Sequence, residues 1–209
     1  MALFSLNNVS FSYPGGTRVI DGIDQAFEAG KVYAIVGASG AGKTTLLGLL
    51  AGLDTPTLGT VSFNGEDVAK RGYAHHRKRN VSLVFQDYNL IEYMTPEENL
   101  KLVDRHADLG LLEELGLSAQ QAKRNVLKLS GGQQQRVAVA RALAADTPVI
   151  LADEPTGNLD AQTGMAILDI LCAAAHEQNK CVIVVTHSKE VTRRADIVLQ
   201  LNRGKLKRK

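Results

Sequence analysis

Val32-Tyr33-Ala34-Ile35-Val36 runs without a break into Gly37-Ala38-Ser39-Gly40-Ala41-Gly42-Lys43-Thr44. The first five residues are apolar on both faces of an extended chain, the pattern of a strand buried inside a parallel sheet. The next eight satisfy G-x-x-x-x-G-K-[ST], with a strand before them and a helix predicted from about Lys43 to Leu50 after them, which is the context this motif requires. The glycines let successive backbone N–H groups turn inward around phosphate oxygens, and the start of the helix adds its partial positive charge. On this reading Gly37, Ser39, Gly40, Ala41, Gly42 and Thr45 belong to the phosphate cradle. Lys43 pairs with the β/γ-phosphates of a nucleoside triphosphate and Thr44 ligates Mg²⁺. A glycine-rich turn that only caps a helix is the plainer alternative, and the strand-loop-helix order weighs against it.

Working outward, Val81 to Phe85, Val149 to Ala152 and Val182 to Val185 repeat the buried-strand pattern. Helical stretches near Gln133 to Ala145 and Gly164 to Glu177 separate them, so the chain reads as an α/β fold with a mixed or parallel sheet. Near the start, Leu3, Leu6, Val9 and Phe11 alternate in a strand-like way before the turn Tyr13-Pro14-Gly15-Gly16. Thr60 to Phe63 precede the turn signal Asn64-Gly65, and two or three antiparallel strands are expected in this part. Residues 87–129 hold no convincing strand. They read as short helices, one starting at Pro96 after Thr95 and one with Leu109, Leu112 and Leu115 on its apolar face. The expectation is a single domain over 1–209, with 1–86 and 130–209 forming the core and its antiparallel β subdomain, and 87–129 a helical subdomain.

The 209 residues have a net charge of +2, too small for the whole surface to capture nucleic acid, and only 5% are aromatic, too few for a base-stacking platform. Hydrophobic residues at 44% and charged residues at 22% fit a globular chain. A domain of this size buries about 70% of its unfolded surface, so no disulfide staple is needed. Cys172 and Cys181 match no zinc spacing and read as reduced, buried fillers. No apolar run is long enough to span a bilayer, and the start MALFSLNNVSF lacks a secretory leader pattern, so a cytoplasmic chain is expected. Any work at a membrane then needs a partner. The basic segment Lys70 to Arg79 reads as a loop or helix end, either a solvated surface or a contact for lipid headgroups or a partner, as do Arg203, Lys205, Lys207, Arg208 and Lys209. His75 and His76, being adjacent, diverge and suit no metal.

Val149-Ile150-Leu151-Ala152 ends in Asp153-Glu154. Carboxylates at the C-terminal end of a buried parallel strand stand where open α/β sheets bind ligands. Asp153 is placed to face Mg²⁺, and Glu154 to reach the water that attacks the γ-phosphate. Ser130-Gly131-Gly132-Gln133-Gln134-Gln135-Arg136 offers a second cradle, since Ser130 caps a helix whose first N–H groups the glycines expose.

Taken together, these motifs make the chain resemble the ATP-binding cassette (ABC) ATPases over its whole length. Further matches are Gln86 after a strand, Gly157-Asn158-Leu159-Asp160 beyond Glu154, and His187 after Thr186. The resemblance implies two copies packed head to tail, each of two Mg²⁺-ATP held between the Lys43 loop of one copy and the Ser130 signature, Ser130 to Gln133, of the other. A triphosphate needs donors on both faces to be desolvated, and one loop covers one face. The resemblance further implies that Tyr13 stacks on adenine, Gln86 senses Mg²⁺ and the attacking water and couples the site to the helical stretch, His187 bonds the γ-phosphate, and Asp160 communicates across the dimer. A buried strand-end tyrosine is the competing reading for Tyr13.

The stretches Phe85 to Leu90, Ser130 to Arg136 and Asp153 to Asp160 look like the branch that serves lipoprotein release, macrolide and peptide efflux, haem export and cell division. That branch implies an integral membrane permease as partner, at the cytoplasmic face. Here the helical stretch is shorter than usual for the branch, and Leu127-Lys128 stands where a tyrosine-proline is usual, which bears on the identity of the partner. A DNA-repair ATPase is excluded by the absence of a sustained heptad run, and a translation-factor type by the single copy of each motif. A regulatory ATPase acting on cell-wall enzymes through a membrane partner stays open beside an exporter of haem, an antimicrobial peptide or another amphipathic cargo.

Overall fold

The computed structural model describes residues 2–157 and 159–209, so Asn158 of the Gly157–Asp160 motif lies outside the described residues. Two sheets are stacked. Strands β1 (Phe4–Ser12), β2 (Arg18–Phe27), β4 (Leu58–Phe63) and β5 (Glu66–Asp67) form an antiparallel sheet in the order β2-β1-β4-β5. Strands β3 (Lys31–Val36), β6 (Val81–Val84), β7 (Val149–Asp153), β8 (Cys181–Val185), β9 (Ile197–Asn202) and β10 (Lys205–Arg208) form the second, in the order β10-β9-β3-β8-β7-β6. All neighbours in it are parallel except the β9–β10 hairpin at the edge.

Alternation along the central strands splits the core in two. Tyr33 and Ile35 of β3, Val149 and Leu151 of β7, and Cys181, Ile183 and Val185 of β8 face the antiparallel sheet, with helix α1 (Lys43–Ala51) packed between. Val32, Ala34, Ile150, Ala152, Val182 and Val184 face the opposite way, onto helices α7 (Gly131–Ala144), α8 (Ala161–His176) and α9 (Lys189–Arg194). Covering both faces is what lets these strands be apolar at every position.

Parallel register brings distant motifs to one edge. Ile35 and Asp153 both pair with Val185, and Val84 pairs with Ala152. The segments leaving the C-terminal ends of β3, β6, β7 and β8, which carry Lys43, Gln86, Glu154 and His187, therefore emerge side by side, as ligand sites in open α/β sheets do.

Residues 87–129 contain, among the described residues, no strand. They form α4 (Pro96–Lys101), α5 (Gly110–Glu114), α6 (Ala119–Ala122) and a 3-10 turn at Val126–Lys128. Thr95 and Glu98 form a reciprocal capping box around the start of α4. Leu112 and Leu115 are buried in the core, with Leu109 packed against it. The two cysteines are free and buried.

Two features go beyond the sequence reading. Lys70 to Arg79 supplies the last turns of two helices, in line with the helix-end expectation, but it does so as two separate elements. It carries α2 (Val68–Arg71) and α3 (Tyr73–Arg79), separated by Gly72, and His76 is buried. The basic residues Arg203, Lys205, Lys207 and Arg208 belong to a hairpin, β9–β10, that closes one edge of the main sheet.

Candidate functional site

The loop after β3 owes its shape to two close approaches. A Cβ on Gly37 would stand 2.5 Å from the Leu201 carbonyl oxygen of β9, so only glycine fits there. Gly42, the N-cap of α1, has φ 94° and would press a Cβ to 2.8 Å from Val19. No side chain caps α1, which leaves its first N–H groups free toward the loop. Lys43 is almost fully buried, and its ammonium donates to the Gly37 and Ala38 carbonyl oxygens at 3.0 and 3.1 Å. It also lies 3.1 Å from His187 Nε2, which therefore accepts, with the ring proton on Nδ1. With no proton on Nε2, its 3.6 Å approach to Glu154 Oε1 is neither a hydrogen bond nor an ion pair.

A cavity of about 670 Å³ opens over this loop, lined by Tyr13, Ser39, Gly40, Gly42, Lys43, Thr44, Thr45, Gln86, Asp153, Glu154 and His187, with Val19 and Gly157 at its edge. Of the residues singled out for this site, Gly37 and Ala41 alone stay behind the cavity wall. Ala41 donates its N–H back to Ala38 at 3.1 Å and so shapes the turn. Tyr13 is 48% exposed, which removes the buried-tyrosine reading. Its hydroxyl meets Thr45 Oγ1 at 3.0 Å and its ring packs edge-on against Phe11.

Thr44 donates its hydroxyl to Asp153 Oδ2 at 2.9 Å. Burial holds the Asp153 carboxyl above its ordinary range, with the nearby Glu154 adding to the rise, while the Thr44 bond and Lys43 oppose it. Glu154 follows β7 in the left-handed region at φ 45°. One carboxylate oxygen accepts from Thr186 Oγ1 at 3.1 Å and from the His187 N–H at 3.2 Å. The other, Oε1, is buried and makes no hydrogen bond among the described residues. A carboxylate oxygen so placed at the rim of the cavity is an available proton acceptor. Thr186, which fixes this carboxylate, was missed by sequence reasoning. A buried hydroxyl at the end of an all-apolar strand, just before His187, was the available signal.

The second cradle stands elsewhere. Ser130 caps α7 in a reciprocal box with Gln133. Ser130, Gly132 and Gln133 line a separate cavity of about 220 Å³ together with Arg136, Leu159, Asp160 and Thr163. Gly131 packs against Tyr88 instead. Asp160 caps α8 by accepting the Thr163 N–H at 2.9 Å, and this bond holds its carboxyl below the ordinary range. Arg136, also missed as a tie, donates to Thr163 Oγ1 at 3.1 Å and so links α7 to α8.

The sequence model of the "ABC transporter" family matches residues 20–157, about two thirds of the chain. The chain belongs to the ABC transporter family. It is 42% identical over 216 residues to the uncharacterised ABC transporter ATP-binding protein YclH of Bacillus subtilis, covering 98% of this chain and 95% of that one. It is 42% identical over 219 residues to the pyoverdine export ATP-binding/permease protein PvdT of Pseudomonas syringae, covering 97% of this chain and 33% of that one. It is 40% identical over 218 residues to the methionine import ATP-binding protein MetN of Caulobacter vibrioides, covering 98% and 65%. The fold superposes with a TM-score of 0.89 on a dimeric post-hydrolysis state of the ATP-binding cassette MJ0796 bound to ADP and Pi, at 33% identity over 99% of this chain and 97% of that one.

As an ABC ATPase the chain binds ATP with Mg²⁺ and hydrolyses it. The residues here fit the cation. Among the described residues no cluster of three or more His, Cys, Asp or Glu could hold a metal by itself. Thr44 and Asp153, bonded to each other, and Gln86 elsewhere in the same lining instead offer hard oxygen donors, the sparse protein set that Mg²⁺ completes with water and phosphate oxygens. When bound there, Mg²⁺ neutralises phosphate charge. No helix among the described residues is long and apolar enough to cross a membrane.

Proposed function

We propose that this chain is the nucleotide-binding subunit of an ABC exporter or extruder, and that two copies close head to tail on two Mg²⁺-ATP. One observation carries the head-to-tail arrangement. The Lys43 cavity and the Ser130 cavity share no residue, so a nucleotide seated on the loop meets no donor from the signature of its own chain. The dimeric state of the related cassette supports the pairing of two copies. Tyr13 stacks on adenine, the loop and Lys43 hold the phosphates, and Thr44, Asp153 and Gln86 hold Mg²⁺. Glu154 takes the proton of the attacking water, His187 bonds the γ-phosphate, and the partner's signature with Asp160 closes the far side. Hydrolysis removes the group that both copies grip, and their separation is the mechanical output.

The output is delivered from the cytoplasmic face to a separate integral membrane permease, with residues 87–129 as the docking region. Export rests on the resemblance of the Phe85–Leu90, Ser130–Arg136 and Asp153–Asp160 stretches and is supported by the export relative, while the import relative shows how close the opposite direction lies. Suitable cargo is haem, an antimicrobial peptide or another amphipathic molecule.

Glu154→Gln tests the chemistry. It keeps size and reach, so ATP binding survives while turnover falls by about 10² to 10⁴, and an ATP-dependent dimer accumulates, visible by light scattering. Turnover at the parental rate removes Glu154 from the mechanism. Sealed vesicles with the co-purified permease read the direction of transport. ATPase activity that no cargo stimulates would favour the regulatory role toward cell-wall enzymes.

A further inference from the structure

The loop that follows Gln86 holds two consecutive non-glycine residues in the left-handed region, Tyr88 at φ 58° and Asn89 at φ 49°. Such backbone persists only where its surroundings hold it. What holds it is α7. Arg141, in the last turn of that helix, donates from Nη1 to the Asn89 carbonyl oxygen at 2.6 Å and from Nη2 to that of Tyr88 at 3.3 Å. Burial pushes the Arg141 guanidinium below its ordinary pKa, as befits a group packed under the loop rather than spread on the surface. At the other end of the helix the Tyr88 hydroxyl occupies the space beside Gly131, where it would stand 2.8 Å from an added Cβ. Gly131 and Arg141 are ten residues apart, about 15 Å along the helix axis, so one short loop is gripped at both ends of α7. Gln86, immediately before this loop, lines the nucleotide cavity. Ser130, immediately before α7, lines the other.

We propose that Arg141 is a positioning residue that locks the loop after Gln86 onto α7, so that a displacement of Gln86 at the chain's own nucleotide is delivered to Ser130. Neither group needs to touch the other. The loop and helix move as one body, and the state of one cavity sets the position of the donors at the second. Where those donors face a second nucleotide, which rests on the head-to-tail reading, occupancy of one site then biases the other, and by linkage the reverse holds too.

The test is hydrogen–deuterium exchange of the full chain in the Glu154→Gln background, with and without Mg²⁺-ATP, at a concentration where it is monomeric. Nucleotide is expected to slow exchange both at 86–90 and at 130–135. With Arg141→Ala the response at 86–90 remains, and the response at 130–135 falls by about fivefold or more, within the range of coupling between sites. Arg141→Lys, which keeps the charge and one donor, restores part of it. A purely structural role would raise exchange without nucleotide and leave the nucleotide-induced differences in proportion. Tyr88→Ala, which releases the grip near Gly131 and leaves α7 intact, gives the same uncoupling should Arg141→Ala not fold. Monomer affinity for ATP stays within about twofold in all of them, while the turnover of the same substitutions with Glu154 intact falls. Equal responses at 130–135 with and without Arg141, or none there in the parent, overturn the proposal. Because exchange is read on the monomer, failure of the head-to-tail reading would leave this result standing.

Discussion

Replacing Lys43 by alanine is expected to weaken the protein twice, once without nucleotide and once with it. The Lys43 side chain is 8% exposed, and its ammonium faces the Gly37 carbonyl, the Ala38 carbonyl and His187 Nε2 at 3.0, 3.1 and 3.1 Å. Hydrogen bonds to charged groups contribute about 1.5 to 3 kcal/mol, and these share one ammonium beside an open cavity, so a total near 2 kcal/mol is the reasonable loss. For a chain of this length each kcal/mol moves Tm by about 2 to 4 °C, which gives a fall of about 4 to 8 °C for the nucleotide-free variant. Binding then becomes an exchange. The phosphates take donors that the loop carbonyls already hold, so the affinity lost is a difference between two sets of bonds. It should amount to about one to two decades, or 1.4 to 2.8 kcal/mol. Scanning calorimetry reads the first effect and titration of a fluorescent ATP analogue the second. An unchanged nucleotide-free Tm would refute the internal bonds, unchanged affinity would move the site elsewhere, and a loss beyond about three decades would refute the exchange argument.

Asp153→Asn is expected to stabilise the nucleotide-free protein at neutral pH. Because burial raises the folded carboxyl above its unfolded value of 3.8, its contribution to stability is greatest below that value and declines as pH rises through the folded one. The Tm advantage of Asp153→Asn should therefore grow with pH and vanish in acid, and a flat difference across pH contradicts it. With Mg²⁺-ATP added, the variant lacks the carboxylate proposed to hold the metal, so its Mg²⁺-dependent turnover should fall even though its nucleotide-free Tm is higher. Cys181, whose thiol burial pushes up to about 12, should resist a thiol reagent such as DTNB until the chain unfolds, and fast labelling in native buffer would show that the β8 core opens.

The sequence made the site legible where one short segment carries both its geometry and its chemistry. The Gly37–Thr45 loop is such a segment, and so is the step from Ala152 into Asp153-Glu154, because a buried strand can only end in charge where it meets a cavity. Convergence of Gln86 and His187 on the same cavity was implied by parallel strands, but it needed the register of β3, β7 and β8 to become a statement about distance. The side chains that hold others in place were not legible. Arg136 and Arg141 act on partners 20 or more residues away, and no local pattern announces such contacts, while Thr186 had as its signal only a hydroxyl closing an apolar strand. The hairpin β9–β10 was missed for another reason. Its last strand, Lys205–Arg208, is charged at three of four positions because it is a sheet edge, where charge guards against further pairing.

The basic segment around His76 shows how a charge run misleads when its direction is unknown. Of its residues, His75, Arg77, Lys78 and Arg79 are exposed and His76 is buried, and both His76 and Arg77 reach the C-terminal end of α1, whose N-terminal end lines the Lys43 cavity. His76 donates from Nε2 to the Leu50 carbonyl oxygen at 2.9 Å and accepts at Nδ1 from Asn80, while Arg77 donates to the Gly52 carbonyl oxygen. Carbonyls left over at a helix end need such donors, and a cation there also answers the helix dipole. Arg77→Ala should then cost about 0.5 to 1.5 kcal/mol of stability, since Arg77 is exposed and partly screened. ATP affinity should hardly move, because the dipole's influence is confined to the end turn. Lys78→Ala, on the solvent side of the same helix, should change stability by no more than about 0.5 kcal/mol. Burial lowers the His76 pKa below 6.5, so its contribution is complete above that pH and is lost as pH falls through the depressed folded value. The parental protein should accordingly lose stability on acidification below about 6.5 with a step that His76→Gln removes. If Arg77→Ala and Lys78→Ala prove equally harmless, α3 does not hold the end of α1 and the segment reverts to a solvated surface.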